Sequence, residues 1–114
     1  MRQISKDEAK KLIKAGAYIL DVRQPEEHEE IHIQNCNLLP LQYFSEDSIK
    51  EKNIPNSTTI LVYCKRGIRS MKACELMSEM GYTELYSLEG GIISFLETED
   101  YEILASNIYK LPNP

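Results

Sequence analysis

The stretch that most constrains this chain is Thr59-Ile60-Leu61-Val62-Tyr63. It is β-branched or apolar throughout and lacks the alternation of a half-exposed strand. A short run of this kind is satisfied only where both faces are covered, as at the centre of a parallel sheet between layers of helix. The flanking segments supply those layers. Ser5-Lys6-Asp7-Glu8 has the S-x-x-E form of a capping box. Ala9, Leu12 and Ile13 follow at helical spacing and Gly16 can end the turn, so a helix is expected over about 5–15. Tyr18 to Val22 reads as a buried strand. Pro25, Glu26 and Glu27 suit the first turn of a short helix. Cys36 to Leu39 reads as a strand stopped at Pro40, and Ser45 to Lys52 is compatible with helix. After the central run, residues 64–69 form a turn, Ser70 to Met80 a helix ended by Gly81, and Leu85 to Leu88 a further strand. Gly90-Gly91 then turns into a helix carrying Ile92, Ile93, Phe95 and Leu96. Strand and helix alternating in this way predict an α/β fold with a mainly parallel sheet covered on both sides.

With 114 residues the chain holds one core. Thirteen basic and eighteen acidic side chains leave a net charge of −5, which argues against nucleic-acid binding, since that needs a basic face. No apolar run reaches the ~20 residues that span a bilayer, and no secretory leader is visible after Met1, so no membrane partner is expected. Three cysteines, Cys36, Cys64 and Cys74, cannot complete a disulfide framework and suit a reducing cytoplasm.

The charge is uneven. Cys64-Lys65-Arg66-Gly67-Ile68-Arg69-Ser70 contains three cations and no acid, on an otherwise acidic body. Cys64 falls where the central strand ends and a helix begins, at the carboxyl edge where open α/β sheets bind ligands. Unpaired N–H groups at the helix start, the helix dipole, and Lys65, Arg66 and Arg69 all favour a thiolate over a thiol. The same donors attract an anion, so the constellation points to a cysteine nucleophile that attacks an anionic substrate. The alternative is a buried structural cysteine beside a solvated turn. Spacing separates two chemistries. Tyrosine phosphatases place five residues between Cys and Arg. Here four lie between Cys64 and Arg69, and the phosphatase position is occupied by Ser70. The shorter cradle suits a single atom on sulfur, such as a persulfide, better than a phosphoryl group.

Asp21-Val22-Arg23, Pro25-Glu26-Glu27, His32-Ile33, Cys64-x-x-Gly67-x-Arg69-Ser70, Gly81-Tyr82 and Leu88-Glu89-Gly90-Gly91-Ile92, in this order, resemble a single-domain rhodanese, a thiosulfate sulfurtransferase. The resemblance runs from about residue 2 to residue 97. It implies a rhodanese-like fold with a central, mostly parallel five-stranded sheet and helices on both faces. It also implies that Cys64 takes a sulfane sulfur from a small anionic donor such as thiosulfate, forms a persulfide, and passes the sulfur to a thiophile: cyanide, a thiol or a protein. No metal or organic cofactor is implied. Cys64 would be the nucleophile. Lys65, Arg66, Gly67, Ile68, Arg69 and Ser70 would form the substrate-binding loop, with backbone N–H groups on the sulfur, Gly67 making the tight turn and the three cations drawing thiosulfate. Asp21 and Arg23 would brace the neighbouring strand end by ion pairing.

Ile31 stands where many relatives have Gly, Gln34-Asn35-Cys36 replaces the usual Pro-Gly-Ala, and Phe95 replaces a common Trp. Residues 1–97 are read as the domain. Residues 98–114 form an extension, with Tyr101, Ile103, Leu104, Ile108 and Tyr109 as a helix on the domain or a partner, and Leu111 to Pro114 fraying. His28-Glu29-Glu30-Ile31-His32 fits the H-E-x-x-H zinc signature, but that chemistry needs one long helix and a third ligand, which Pro25 and the composition disfavour. Cys74 reads as a core residue and Cys36 as a core strand position, with a resolving thiol as its alternative role. Four functions follow in order of preference: a sulfurtransferase; a sulfur-carrier or sensor module that docks a protein and turns over thiosulfate poorly; a non-catalytic interaction domain; and an arsenate or phosphate-ester enzyme on the same fold.

Overall fold

The computed structural model describes residues 1–112; of the stretch expected to fray, Leu111 instead packs on the core that holds Ile33 and Phe95, and Asn113 and Pro114 lie outside the described residues. The central run becomes β5 (Ile60–Tyr63), and all four of its residues are buried. It sits third in a five-stranded sheet with β1 (Arg2–Ile4), β6 (Leu85–Leu88), β2 (Tyr18–Asp21) and β4 (Asn37–Leu38), in the order β1-β6-β5-β2-β4. Every neighbouring pair is parallel. Helix α1 (Lys6–Lys14) and helix α5 (Gly91–Glu97) cover one face through Ala9, Ile92 and Phe95, which pack with Ile19, Leu61 and Tyr63. Helix α3 (Glu46–Lys50) and helix α4 (Ile68–Glu79) cover the other through Ile49, Ala73, Cys74 and Met77, against Leu20, Val62 and Cys64. These two cores are the two faces that the unbroken hydrophobicity of β5 demands.

Local signals act as their chemistry requires. Ser5 caps α1 by accepting from Glu8 N–H at 3.2 Å. The capping box is half made, because the Glu8 carboxylate turns outward to Arg2 at 2.7 Å. Pro25 opens α2 (Pro25–Glu30), and the Glu27 carboxylate accepts from Gln24 N–H at 3.0 Å. α4 starts at Ile68, two residues before the expected Ser70, because Gly67 takes φ +102° and serves as its cap.

Two features differ from expectation. The fifth sheet strand is Arg2–Ile4, a polar-looking triplet in which Ile4 alone is buried. The segment after α5 is not a helix: Tyr101–Ile103 make one 3₁₀ turn, and β7 (Leu104–Ala105) pairs antiparallel with β3 (His32–Ile33). Leu104 enters the same core as Ile33 and Phe95. The alternation of Tyr101, Ile103 and Leu104 fits helix or extended chain equally, and the unpaired edge of β3 decides for extended chain. Leu104→Ala is expected to lower unfolding free energy by about 2–4 kcal/mol, as a cavity in that core would, measured by urea denaturation; a loss within 0.5 kcal/mol would show that the strap does not contribute.

Candidate active site at the carboxyl edge of the sheet

At the end of β5 two adjacent side chains part. Tyr63 points into the core under α1 and α5, and Cys64 points into the core under α4. What surrounds each explains the site.

Tyr63 lies beside Asp21 in the β2–β5 register. Its hydroxyl donates to Asp21 Oδ2 at 3.0 Å and accepts from Ile33 N–H at 3.1 Å. Arg23 closes on the same carboxylate with Nε to Oδ1 at 2.9 Å and Nη2 to Oδ2 at 2.8 Å, while Nη2 also donates to the Ile31 carbonyl at 2.6 Å. His28 Nδ1 lies 3.0 Å from Oδ2. Asp21 and Arg23 are both buried. Burial alone would push the Asp21 carboxyl up, but the hydrogen bonds and charge of Arg23 outweigh it and hold the group below the usual carboxylate range. Burial, followed by the Asp21 charge, pushes the Tyr63 phenol far up, so it stays a donor. The expected bracing pair is thus part of a larger network with Tyr63, His28 and the Ile31 carbonyl. It ties the ends of β2 and β5 to the segment leading into β3.

Cys64 is 1% exposed. Its Sγ accepts from Gly67 N–H at 3.1 Å and from Ser70 N–H at 3.4 Å, and Ser70 Oγ lies 3.5 Å away. Ser70 is itself held by Ser87 on β6, Oγ to Oγ at 2.7 Å. The loop therefore curls around the sulfur, with Gly67 and Ser70 as the loop amides that close on it among the described residues. Ile68 opens α4 with its side chain turned to solvent, 80% exposed. Lys65 and Arg66 are exposed, and among the described residues neither enters an ion pair. Arg69 differs from the expectation of a free cation. Its Nη1 and Nη2 donate to the two Glu27 oxygens at 2.7 and 2.9 Å. That pairing holds the Glu27 carboxyl at about 2.

The loop is clamped from the α5 side. Ile92 N–H donates to the Cys64 carbonyl at 2.9 Å, and Ile93 N–H to the Lys65 carbonyl at 3.2 Å. This close approach needs Gly91, where a Cβ would overlap the Lys65 carbonyl and the Arg66 nitrogen and where φ is +60°.

Residue reading missed several participants: Glu27, Ser87, Tyr63 and Gly91 in its clamping role. Glu27 had a signal, since it stands in the first turn of the helix after β2, at the same sheet edge as Cys64. Ser87 had none, because its partner is seventeen residues away across a strand pair.

The other two thiols differ in position: Cys74 shares the core of Cys64, and Cys36 does not. Cys36 is not the core strand position expected: it is half-buried and lies just before β4, with its Sγ 3.4 Å from the Tyr63 hydroxyl on the face opposite Cys64, and burial pushes its thiol up. A resolving role is therefore not served by this geometry. Burial pushes Cys74 up to about 12. The zinc signature is broken in space. His28 ends up on α2 and His32 on β3, their rings stacked at 4.1 Å, with His32 Nδ1 on the His28 carbonyl at 2.7 Å. Asp21, His28 and Cys36 bring ligand atoms within 4.8 Å of one another, but the Arg23 guanidinium already supplies the cation at this carboxylate.

A curled cysteine loop between two glycine-supported helix starts, on a five-stranded parallel sheet, has known counterparts. Residues 5–98 match the Rhodanese-like domain family. The chain belongs to this family. It is 39% identical over 94 residues to a thiosulfate sulfurtransferase GlpE of Coxiella burnetii, spanning 79% of this chain and 82% of that protein. It is 32% identical over 90 residues to a tRNA uridine(34) hydroxylase of Chlamydia muridarum, spanning 75% of this chain and 27% of that longer protein. Among solved structures, a rhodanese-related protein of Thermoplasma volcanium superposes with a TM-score of 0.72 at 33% identity, covering 86% of this chain and 93% of that one. The rhodanese-like fold and a sulfurtransferase family are thereby established, while the names within the family differ in their reactions. Among the described residues no helix is long and apolar enough to cross a membrane.

Two outcomes test the supports of the site. Gly91→Ala is expected to cost at least about 2 kcal/mol, because it adds overlap and left-handed strain at once, read from the urea midpoint; an unchanged midpoint would show that the clamp yields freely. Asp21→Asn, which leaves Arg23 buried without its counter-charge, is expected to cost about 3–5 kcal/mol at neutral pH. The depressed Asp21 carboxyl contributes stability above its unfolded value of about 3.9, and this is lost as pH falls through the lower folded value. The gap between wild type and Asp21→Asn should therefore narrow below about pH 4; a gap that stays constant on acidification contradicts the assignment.

Proposed function

We propose that this chain is a sulfurtransferase in which Cys64 carries a sulfane sulfur. The observation that bears this reading is the enclosure of Cys64 Sγ by the Gly67 and Ser70 amides at the head of α4. Those donors stabilise negative charge on sulfur, whether on a thiolate or on the outer sulfur of a persulfide. With thiosulfate as donor, the thiolate attacks the outer sulfur, a new S–S bond forms, and sulfite leaves with the electron pair of the bond that breaks. The charge of −3 is conserved, as one charge on Cys64 and two on the leaving anion. A thiophile then attacks the outer sulfur of the persulfide and regenerates the Cys64 thiolate; cyanide leaves as thiocyanate. Lys65 and Arg66 face solvent and draw the anionic donor. Ser70, held by Ser87, fixes the start of the helix that aims the amides. The chemistry uses the chain's own groups, and the acceptor in the cell is a thiol or a protein, in a reducing compartment such as the cytoplasm.

A second reading, a carrier module with little thiosulfate turnover, is favoured by one observation: Glu27 already occupies Arg69. Intact mass after incubation with thiosulfate tests the first step. Wild type should gain one sulfur, about 32 Da, and Cys64→Ser should gain none. No gain in wild type at any thiosulfate concentration overturns the proposal. Discharge by cyanide then separates the readings, with sustained thiocyanate release expected of an enzyme and a single discharge of a carrier.

A further inference from the structure

The loop carries three cations, but its mouth is not cationic in proportion. Arg69 is held two-fold by Glu27, the two side chains being 33% and 29% exposed. Glu27 is itself fixed, since Oε1 also accepts from Gln24 N–H at 3.0 Å. The Arg69 hydrogen bonds lower its carboxyl to about 2, so it is a carboxylate at neutral pH. Beside Lys65 a cleft of about 140 Å³ lies between α2 and α5, lined by Glu27, Glu30, Lys65, Ile92 and Ile93 and by Arg23, whose charge Asp21 already matches. A donor that approaches the loop past Lys65 therefore meets two carboxylates, and one of the three loop cations is already neutralised. A second anionic charge on a donor gains little from Arg69 in this state, because Glu27 cancels it, and is repelled by the nearby Glu30.

We infer that Glu27 is a positioning residue that sets the donor's charge class: by occupying Arg69 it biases the site away from dianionic thiosulfate and toward sulfane donors with at most one negative charge, such as organic persulfides and thiosulfonates. This rests on the reading of Cys64 as sulfur carrier. The transfer is the same for either class. The Cys64 thiolate attacks the outer sulfur, the old S–S bond breaks, and sulfite, a sulfinate or a thiolate leaves with the electron pair. Only the charge of donor and leaving group changes.

The test compares two donors of matched chemistry, thiosulfate with two charges and benzenethiosulfonate with one, on the full chain and on Glu27→Gln. The glutamine keeps an oxygen for Gln24 N–H and removes the charge. Loading of Cys64 is followed by intact mass under single-turnover conditions at low salt. In Glu27→Gln, loading from thiosulfate should rise about tenfold and loading from benzenethiosulfonate about threefold, because the effect scales with donor charge. The ratio of the two rates should thus rise about threefold, and Glu27→Asp should stay near wild type. The thiosulfate gain should shrink as salt is raised. A ratio that is unchanged or falls overturns the inference, since a general loosening of the loop would move both donors alike. Failure of Cys64 to load from either donor in either protein instead overturns the sulfur-carrier reading itself, and is told apart by the missing mass gain in wild type.

Discussion

The site depends on the divergence of two consecutive side chains at the end of a fully buried strand. β5 has no solvent-facing side, so whatever follows its last apolar residue must satisfy polar groups inside the protein. Tyr63 and Cys64 do this on opposite faces. The tyrosine hydroxyl joins a buried carboxylate and guanidinium, and the cysteine sulfur joins the amides of a helix start. The first network is rigid and closed. The second ends on an atom that can react. Anchoring one face gives the other a fixed floor, which is the condition for holding a sulfur within a few tenths of an ångström of its donors.

The electrostatics share this division. Asp21 and Arg23 neutralise one another out of solvent, and each would be costly alone. Glu27 and Arg69 do the same at the rim, in half-exposed positions where screening weakens the pair. Among the described residues, Lys65 and Arg66 enter no ion pair, and the oriented amides of Gly67 and Ser70 are turned onto the sulfur. Oriented amides act on an atom at hydrogen-bond distance, whereas exposed lysine and arginine act mainly on approach. Under the proposed function, the loop therefore separates the attraction of an anion from the stabilisation of charge on sulfur.

Much of this was legible in the residues. The unbroken apolar run at 59–63 required a central parallel strand, and the position of Cys64 after it required the sheet's carboxyl edge. Gly67 and the pair Gly90-Gly91 marked tight turns, and the family resemblance rested on these same positions. Other features were illegible for physical reasons. Arg2-Gln3-Ile4 carries one apolar side chain, too little pattern to announce a strand; it forms because β6 offers an open edge. The 104–105 strap depends on an edge seventy residues away. The cationic count of the loop misled most, because charge in a sequence has no partner until the fold supplies one. Glu27, forty-two residues from Arg69, is that partner.

The placement of the three thiols has a consequence for bookkeeping of a different kind, that of redox state. Cys36 lies across the sheet, and Cys74, in the same core as Cys64, is buried with its thiol pushed up to about 12, so under the proposed function neither is a ready disulfide partner for a sulfur on Cys64. Under that proposal, a persulfide there is cleared from outside the fold. Its lifetime would then be set by whatever visits the loop, and the protein would act as a single-slot store whose emptying is second order, timed by the concentration of its acceptor.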